Sequence, residues 1–353
     1  MAFFTVNNVK IRGIAACVPQ TVEENSSLPF YKTPEEAKQV INAIGIERRH
    51  IASADIAVSD LCCKAADQIL AALGWGKESI DLLALITQNP DYLNHPTSFV
   101  VHERMGFPDS TMCLDYFHGC PGWVTTLSSV ASMISNGGIK RALLLDGDTV
   151  SKDQGAASRE ERPLFGDAAI ATALEFCEGA QPMYFNIGTL SEGGKALARL
   201  QGGYRHPYTL ETLKSELGRL AGTLQDREIY KMDSMDVFSF AITKIPKAIK
   251  RLCVTFGVSI DDVDLFVLHQ ANKMIVDSIA KRLKISEEKV PLSLKNYGNT
   301  TSVSIPLTMA TTSAKRYRNE QLKNVVCGFG TGLAWGAAFF ETENLVIPEI
   351  QYI

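Results

Sequence analysis

Cys120 sits in the phrase Leu114-Asp115-Tyr116-Phe117-His118-Gly119-Cys120-Pro121-Gly122-Trp123, where an extended run stops at small residues and a helical run starts. Pro121 is expected at the first helical position, which aims a helix N-terminus at the sulfur. The positive end of that helix favours thiolate over thiol, and the bend leaves the Cys120 N–H free to stabilise an oxyanion on a bound acyl group. One turn therefore offers both a nucleophile and an oxyanion donor. An inert core thiol is the competing reading of a lone cysteine in an apolar stretch, and only the rest of the chain separates the two.

Two other turns carry suitable partners. His269 follows the strand-like Asp264-Leu-Phe-Val-Leu and precedes Gln270-Ala271-Asn272, a strand end of the kind where catalytic side chains collect in α/β folds. Asn299 lies in Asn296-Tyr-Gly-Asn-Thr-Thr-Ser, where Gly298 permits a sharp turn; a helix cap is the plain reading, yet a side-chain amide there can donate to an oxygen. The segment Gly328-Phe-Gly-Thr-Gly-Leu-Ala-Trp-Gly336 lies between two apolar strands, so it reads as a tight β turn rather than a phosphate loop, which must open a helix. Such a turn can bring a backbone N–H close to Cys120. His118, two residues before the thiol, is given a structural role.

Alternating short apolar runs and helical patterns must position these residues. The runs Val9 to Ala16, Leu82 to Thr87, Cys113 to Phe117 and Ala142 to Asp146 alternate with helices from about Ser59 to Leu73 and after Cys120, the β-α-β rhythm of a layered α/β fold. From about Met183 to Tyr230 the rhythm weakens into a glycine-containing, charged stretch and predicts a connection. It resumes with a helix Val237 to Phe256, a strand Leu265 to Leu268, helices Ala271 to Leu283 and Ser302 to Arg316, and a strand Val325 to Cys327. The second half echoes the first in element order, so a site between the halves is expected.

With 353 residues, 46% of them hydrophobic, two packed halves are expected. A net charge of -4 argues against wrapping a nucleic-acid backbone. Eight scattered cysteines without a Cys-x-x-Cys pair read as reduced thiols in a cytoplasmic protein, and no metal site or cofactor is expected. No apolar run has the length to cross a bilayer.

Gly119-Cys120 before a helix, His269-Gln-Ala-Asn272, Tyr297-Gly-Asn299-Thr and Gly330-Thr-Gly-Leu-Ala-Trp-Gly336 occur in one order. In this the chain resembles the β-ketoacyl-acyl-carrier-protein synthase III family of thiolase-fold condensing enzymes. Gly45-Ile-Glu-Arg-Arg-His-Ile, Leu164-Phe-Gly-Asp167-Ala-Ala and Met232-Asp233 extend the resemblance over nearly the whole chain. It implies two pseudo-duplicated αβαβα halves in a five-layered core: residues 1–182 with the nucleophile, 183–230 as a connecting segment, and 231–353 with His269 and Asn299. It implies a Cys120-His269-Asn299 triad, an oxyanion hole from the N–H groups of Cys120 and Thr331, and a homodimer in which Asn89 to His95 approaches the partner's acyl pocket. The implied reaction loads an acyl group on Cys120 and condenses it with a decarboxylating malonyl thioester.

The chain also departs from the family pattern. Ala37-Lys-Gln-Val-Ile-Asn-Ala stands where members primed by coenzyme A place a tryptophan, and the arginine before Gly45 is missing, so an acylated carrier protein gains weight as donor. The basic patch for carrier docking keeps Lys281 and Arg282, with Lys273 beside Met274 at a usual arginine position. Pro121 and Trp123 point to a reshaped acyl pocket. Acyl transfer to an oxygen or nitrogen acceptor, and a non-catalytic partner subunit, are the alternative readings.

Overall fold

The computed structural model describes residues 2–153, 158–159, 161–194, 196–220 and 230–353. Its frame is a duplicated four-strand unit. In the first copy Val9–Val18, Ala168–Phe176, Arg141–Asp148 and Leu82–Ile86 lie side by side, the first two contacts antiparallel and the third parallel. In the second, Met183–Thr189, Ala334–Glu343, Gln321–Gly330 and Leu265–Leu268 repeat the same order and the same senses. Parallel neighbours need helical crossovers, which is why the helices lie between the inner strands in sequence and cover the sheets in space.

Five layers result. Val58–Leu73 and Thr97–Met105 cover the outer face of the first sheet. Ser234–Phe256 and Lys273–Leu283 cover the second. Gly122–Ile134 and Ser304–Ala310 fill the layer between the sheets, where side chains from both sheets meet them. All seven residues of Ser304–Ala310 are buried, as a helix that is apolar or small on every side must be.

Local chemistry sets the helix ends. Asp233 accepts from the N–H groups of Met235 and Asp236, and Gly257 in the left-handed region ends that helix. Asn272 caps the next with its side chain on the Ile275 N–H at 2.9 Å, so this helix starts at Lys273 and not at Ala271. The helix expected over Ser302 to Arg316 is two: the chain leaves helical geometry at Thr311 and resumes at Ala314–Asn319.

The boundary near residue 183 differs from the sequence expectation. Met183–Thr189 is a full member of the second sheet and corresponds to Val9–Val18 of the first, so the irregular stretch starts only after it. Within that stretch Leu197–Arg199 pairs with Tyr230–Met232, and Leu210–Leu220 is helical; positions 221–229 lie outside the described residues. The chain ends cross over. Ala2–Val6 adds to Met183–Thr189 in the second sheet, while Gln351–Tyr352 runs beside Val9–Val18 in the first. Among the described residues no helix is long and apolar enough to cross a membrane.

Candidate active site

Strand Met112–Tyr116 delivers the chain to Gly119-Cys120, and the Gly122 N–H closes a turn on the Gly119 carbonyl at 2.7 Å. Pro121 is the capping residue and Gly122 the first helical one, a shift of one position from the expectation. The hairpin joining Gln321–Gly330 to Ala334–Glu343 lies against this turn. A Cβ on Gly328 would stand 2.7 Å from Pro121 Cα, and one on Gly330 2.9 Å from Cys120 Sγ, so only glycine lets the hairpin approach this closely. The N–H groups of Thr331 and of Cys120 itself both reach the sulfur.

Burial nevertheless pushes the Cys120 thiol up to about 12, outweighing those N–H groups, with the carboxyls of Asp148 and Asp146 adding to the rise. Cys120 at rest is therefore a neutral thiol, against the expectation of a standing thiolate. Cys327, on the strand behind, is buried core, and burial raises its thiol as well.

His269 follows Leu268 and stays in the parallel register, its N–H bonded to the Cys327 carbonyl at 2.9 Å. Its ring packs edge-on against Phe329 at 5.3 Å between centroids, next to Gly330. Nδ1 lies 2.8 Å from Ser304 Oγ, and with the hydroxyl donating a hydrogen bond to Nδ1 the ring N–H is assigned to Nε2. Burial drives the imidazole down to about 3, a hydrogen bond with the Thr301 main chain opposing this, so the ring is neutral at physiological pH.

Asn299 is held from three sides. Its N–H donates to the Leu164 carbonyl at 2.8 Å and its carbonyl accepts from Gly166 at 3.1 Å. Its Oδ1 accepts the Thr301 N–H at 2.9 Å, and Nδ2 donates one of its two hydrogens to the Ala271 carbonyl at 3.5 Å. The turn after Asn299 abuts the nucleophile's helix: a Cβ on Gly122 would meet Ser302 Cβ at 3.2 Å. Cys120, His269 and Asn299 thus border one neighbourhood in the middle layer, with Thr331 beside the sulfur.

The remaining motif residues hold these turns. Arg49, fully buried, donates to Asn25 Oδ1 at 2.8 Å and to the Phe165 carbonyl at 3.2 Å and pairs with Glu23. Its side chain passes under Gly298. Asp167 accepts the Ala52 N–H at 2.7 Å and the Ser151 N–H at 2.9 Å, and burial raises its carboxyl to about 6. Trp123 is core: its indole N–H donates to Thr172 Oγ1 at 3.1 Å and its ring neighbours Phe340. His118 is half-buried, and burial lowers its imidazole.

Lys273 stands at the site end of its helix, paired with Asp277 at 2.5 Å, while Lys281 and Arg282 are exposed in the last turn, about 12 Å further along. Met274 is exposed beside Lys273. Near Ala37 a groove of ≈ 580 Å³ is lined by Tyr31, Lys38 and Asn42, among others. The helix itself bears no aromatic residue, but Phe30 and Tyr31 stack edge-on just before it, with the Arg159 guanidinium over the Phe30 ring. Sequence reasoning passed over Asp148, Thr301, Ser304 and Gln88, which carry no motif of their own.

A duplicated five-layer α/β body with a thiol at the mouth of its central helix is a thiolase-fold acyltransferase. Residues 114–191 match the family model for 3-oxoacyl-[acyl-carrier-protein] synthase III, and residues 253–342 the model for its C-terminal region. β-Ketoacyl-[acyl-carrier-protein] synthase III of Desulfitobacterium hafniense strain Y51 is 32% identical over 332 residues, 94% of this chain and 97% of that one. The enzyme of the same name from Thermosynechococcus vestitus is 32% identical, covering 95% and 99%. The crystal structure of 3-oxoacyl-(acyl-carrier protein) synthase from Burkholderia xenovorans LB400 superimposes with a TM-score of 0.92 at 32% identity, over 100% of this chain and 99% of that one. The chain belongs to the 3-oxoacyl-[acyl-carrier-protein] synthase III family.

Proposed function

We propose that the chain condenses an acyl group with a malonyl thioester, with Cys120 as acyl acceptor and His269 and Asn299 as donors to the developing enolate. The supporting observation is that both partners are neutral and aimed by fixed bonds: Ser304 orients the imidazole, and the Thr301 N–H occupies Asn299 Oδ1, leaving Nδ2–H to donate.

Cys120 Sγ attacks the thioester carbonyl, forming the new S–C bond while the carrier thiol leaves and takes up the proton from the cysteine. The malonyl C–CO2 bond then breaks. Carbon dioxide departs and the electron pair moves onto the thioester oxygen as an enolate, where two neutral N–H donors stabilise charge that a carboxylate would repel. The carbanion carbon attacks the acyl group, whose oxyanion is held by the N–H groups of Cys120 and Thr331, and collapse breaks the S–C bond, releasing the β-ketoacyl product and a Cys120 thiolate that takes up a proton from water.

The donor is a carrier protein, docked by Lys273, Lys281 and Arg282, since the helix Pro34–Ile44 lacks the tryptophan and arginine of the coenzyme A pattern. Phe30 with Arg159 offers coenzyme A a different platform, so both donors belong in the test. A homodimer covers the apolar patch around Tyr92, Leu93, Phe99 and Phe117, of which Leu93 is 90% exposed. All eight cysteines are free, which supports a reducing, cytoplasmic setting.

Intact-mass measurement after incubation with acyl-carrier and acyl-coenzyme A panels, then a malonyl thioester, tests the reading. An adduct at Cys120 followed by carbon dioxide and a ketone supports it. An adduct converted to ester or amide without carbon dioxide moves the chain to oxygen or nitrogen transfer, and no adduct with any donor leaves a non-catalytic role.

A further inference from the structure

The carboxyl of Asp148, at the end of strand Arg141–Asp148, gathers four hydrogen bonds from two sides of the site. Oδ1 accepts from Thr87 Oγ1 at 3.0 Å and from the Gln88 N–H at 2.7 Å. Oδ2 accepts from Gln88 Nε2 at 3.2 Å and from the Thr301 hydroxyl. Gln88 leads to the nucleophile, because its Oε1 lies 3.1 Å from the space a Cβ on Gly119 would fill. Thr301 leads to the partners, because its N–H holds Asn299 Oδ1 and its main chain bonds His269.

Thr301 also has φ +54°, a left-handed conformation that is an outlier for a β-branched residue. Such a conformation is strained and persists only where surrounding contacts impose it. The Asp148 bond to its hydroxyl is a contact that reaches it from the other half of the molecule. Two residues earlier on the same face of the strand, Asp146 accepts from Ser302 Oγ at 2.7 Å, so two carboxyls grip two successive hydroxyls. The second grip is looser in its chemistry: Asp146 Oδ2 is buried without a hydrogen-bond partner.

We propose that Asp148 is a positioning residue which, through Thr301, fixes the Asn299 amide and the His269 ring in the orientation decarboxylation needs and locks that turn to the nucleophile's turn. This rests on the triad reading above. It touches neither substrate nor sulfur in this role. Without the Thr301 hydroxyl bond the turn relaxes from the left-handed region, the Thr301 N–H leaves Oδ1, and the amide is free to rotate its oxygen toward the enolate.

The test compares Thr301→Val, Thr301→Ser and Asp148→Asn with the wild-type chain in three measurements: acyl adduct on Cys120 by intact mass, carbon dioxide release from malonyl thioester, and amide hydrogen exchange over residues 299–304. Thr301→Val and Asp148→Asn are expected to load acyl groups within about threefold of wild type while carbon dioxide release falls about 100-fold, the loss typical of one oxyanion donor. Thr301→Ser, which keeps the hydroxyl, restores release to within about threefold. Exchange at residues 299–304 quickens at least tenfold in Thr301→Val and Asp148→Asn only. Release unchanged in Thr301→Val, or loading and release falling together in a folded variant, overturns the proposal. A wild-type chain that never releases carbon dioxide defeats the triad reading instead, and the exchange data then judge the tie alone: unchanged exchange rejects it.

Discussion

The two turns that meet at the site are built from different material. Around Cys120 the groups that face the sulfur are main chain, the N–H groups of Cys120 and Thr331, brought close by glycines at 328 and 330. Around His269 and Asn299 they are side chains, Ser304 on the imidazole and Asp148 on Thr301. Under the reaction proposed above, the difference follows from the charge each turn would meet. An acyl oxyanion forms at a fixed distance from the nucleophile's own backbone, so rigid N–H groups suffice. The enolate arrives on a separate substrate, and its donors have to be rotated into place and kept neutral in a dry interior, which hydroxyl and amide side chains do.

Substitutions at four positions and a change of pH would break or sharpen that contrast. Cys120→Ala removes the adduct entirely and lowers condensation by about 10,000-fold or more, read by intact mass and ketone formation. His269→Ala and Asn299→Ala lower carbon dioxide release by about 100- to 1,000-fold while leaving the Cys120 adduct in place; equal loss of both steps would abolish the division of labour between the turns. Gly330→Ala drives a methyl to within 2.9 Å of the sulfur at a backbone φ of +156°, so adduct formation slows by about tenfold with release less affected.

The smallest effect is one of pH. The folded imidazole of His269 sits at about 3, against about 6.5 in the unfolded chain, so between those values only the unfolded chain takes the proton. Its contribution to stability is present above the unfolded value and falls as pH drops through this window. His269→Gln is expected to lose less stability than wild type between pH 7 and pH 4.5 in urea titrations. Carbon dioxide release from preloaded enzyme should show no inflection near 6.5. Adduct formation, starting from a thiol near 12, should keep rising with pH through 9.

The fold was legible wherever a periodic pattern sat inside one element: the buried run Leu82–Ile86, the long helix ending at Phe256, and the glycine hairpin after Gly328 all lie close to their expected places. The strand Met183–Thr189 was not, because its pairing with residues 334–339 spans about half the chain and leaves no local signature. The thiol and imidazole announced themselves as polar side chains just past strands, and the amide as one beside a glycine turn. Asp148 did not, since an acid closing an apolar strand looks like any strand terminus until Thr301, 153 residues later, folds onto it. The thiolate expectation failed for a related reason. A helix mouth can be read from a proline and glycines, but the burial that outweighs it depends on what packs above.

The crossed chain ends bear on how the protein is made. Val9–Val18 emerges early from the ribosome, yet the backbone beside it is covered by Val346, whose N–H reaches the Arg12 carbonyl at 3.0 Å, and by Gln351–Tyr352. Until residues 346–352 are in place the first sheet therefore carries a bare, sticky strand margin, while Ala2–Val6 waits for Met183–Thr189. Closing either sheet therefore takes an edge strand from a distant part of the sequence: Ala2–Val6 for the second, Gln351–Tyr352 for the first.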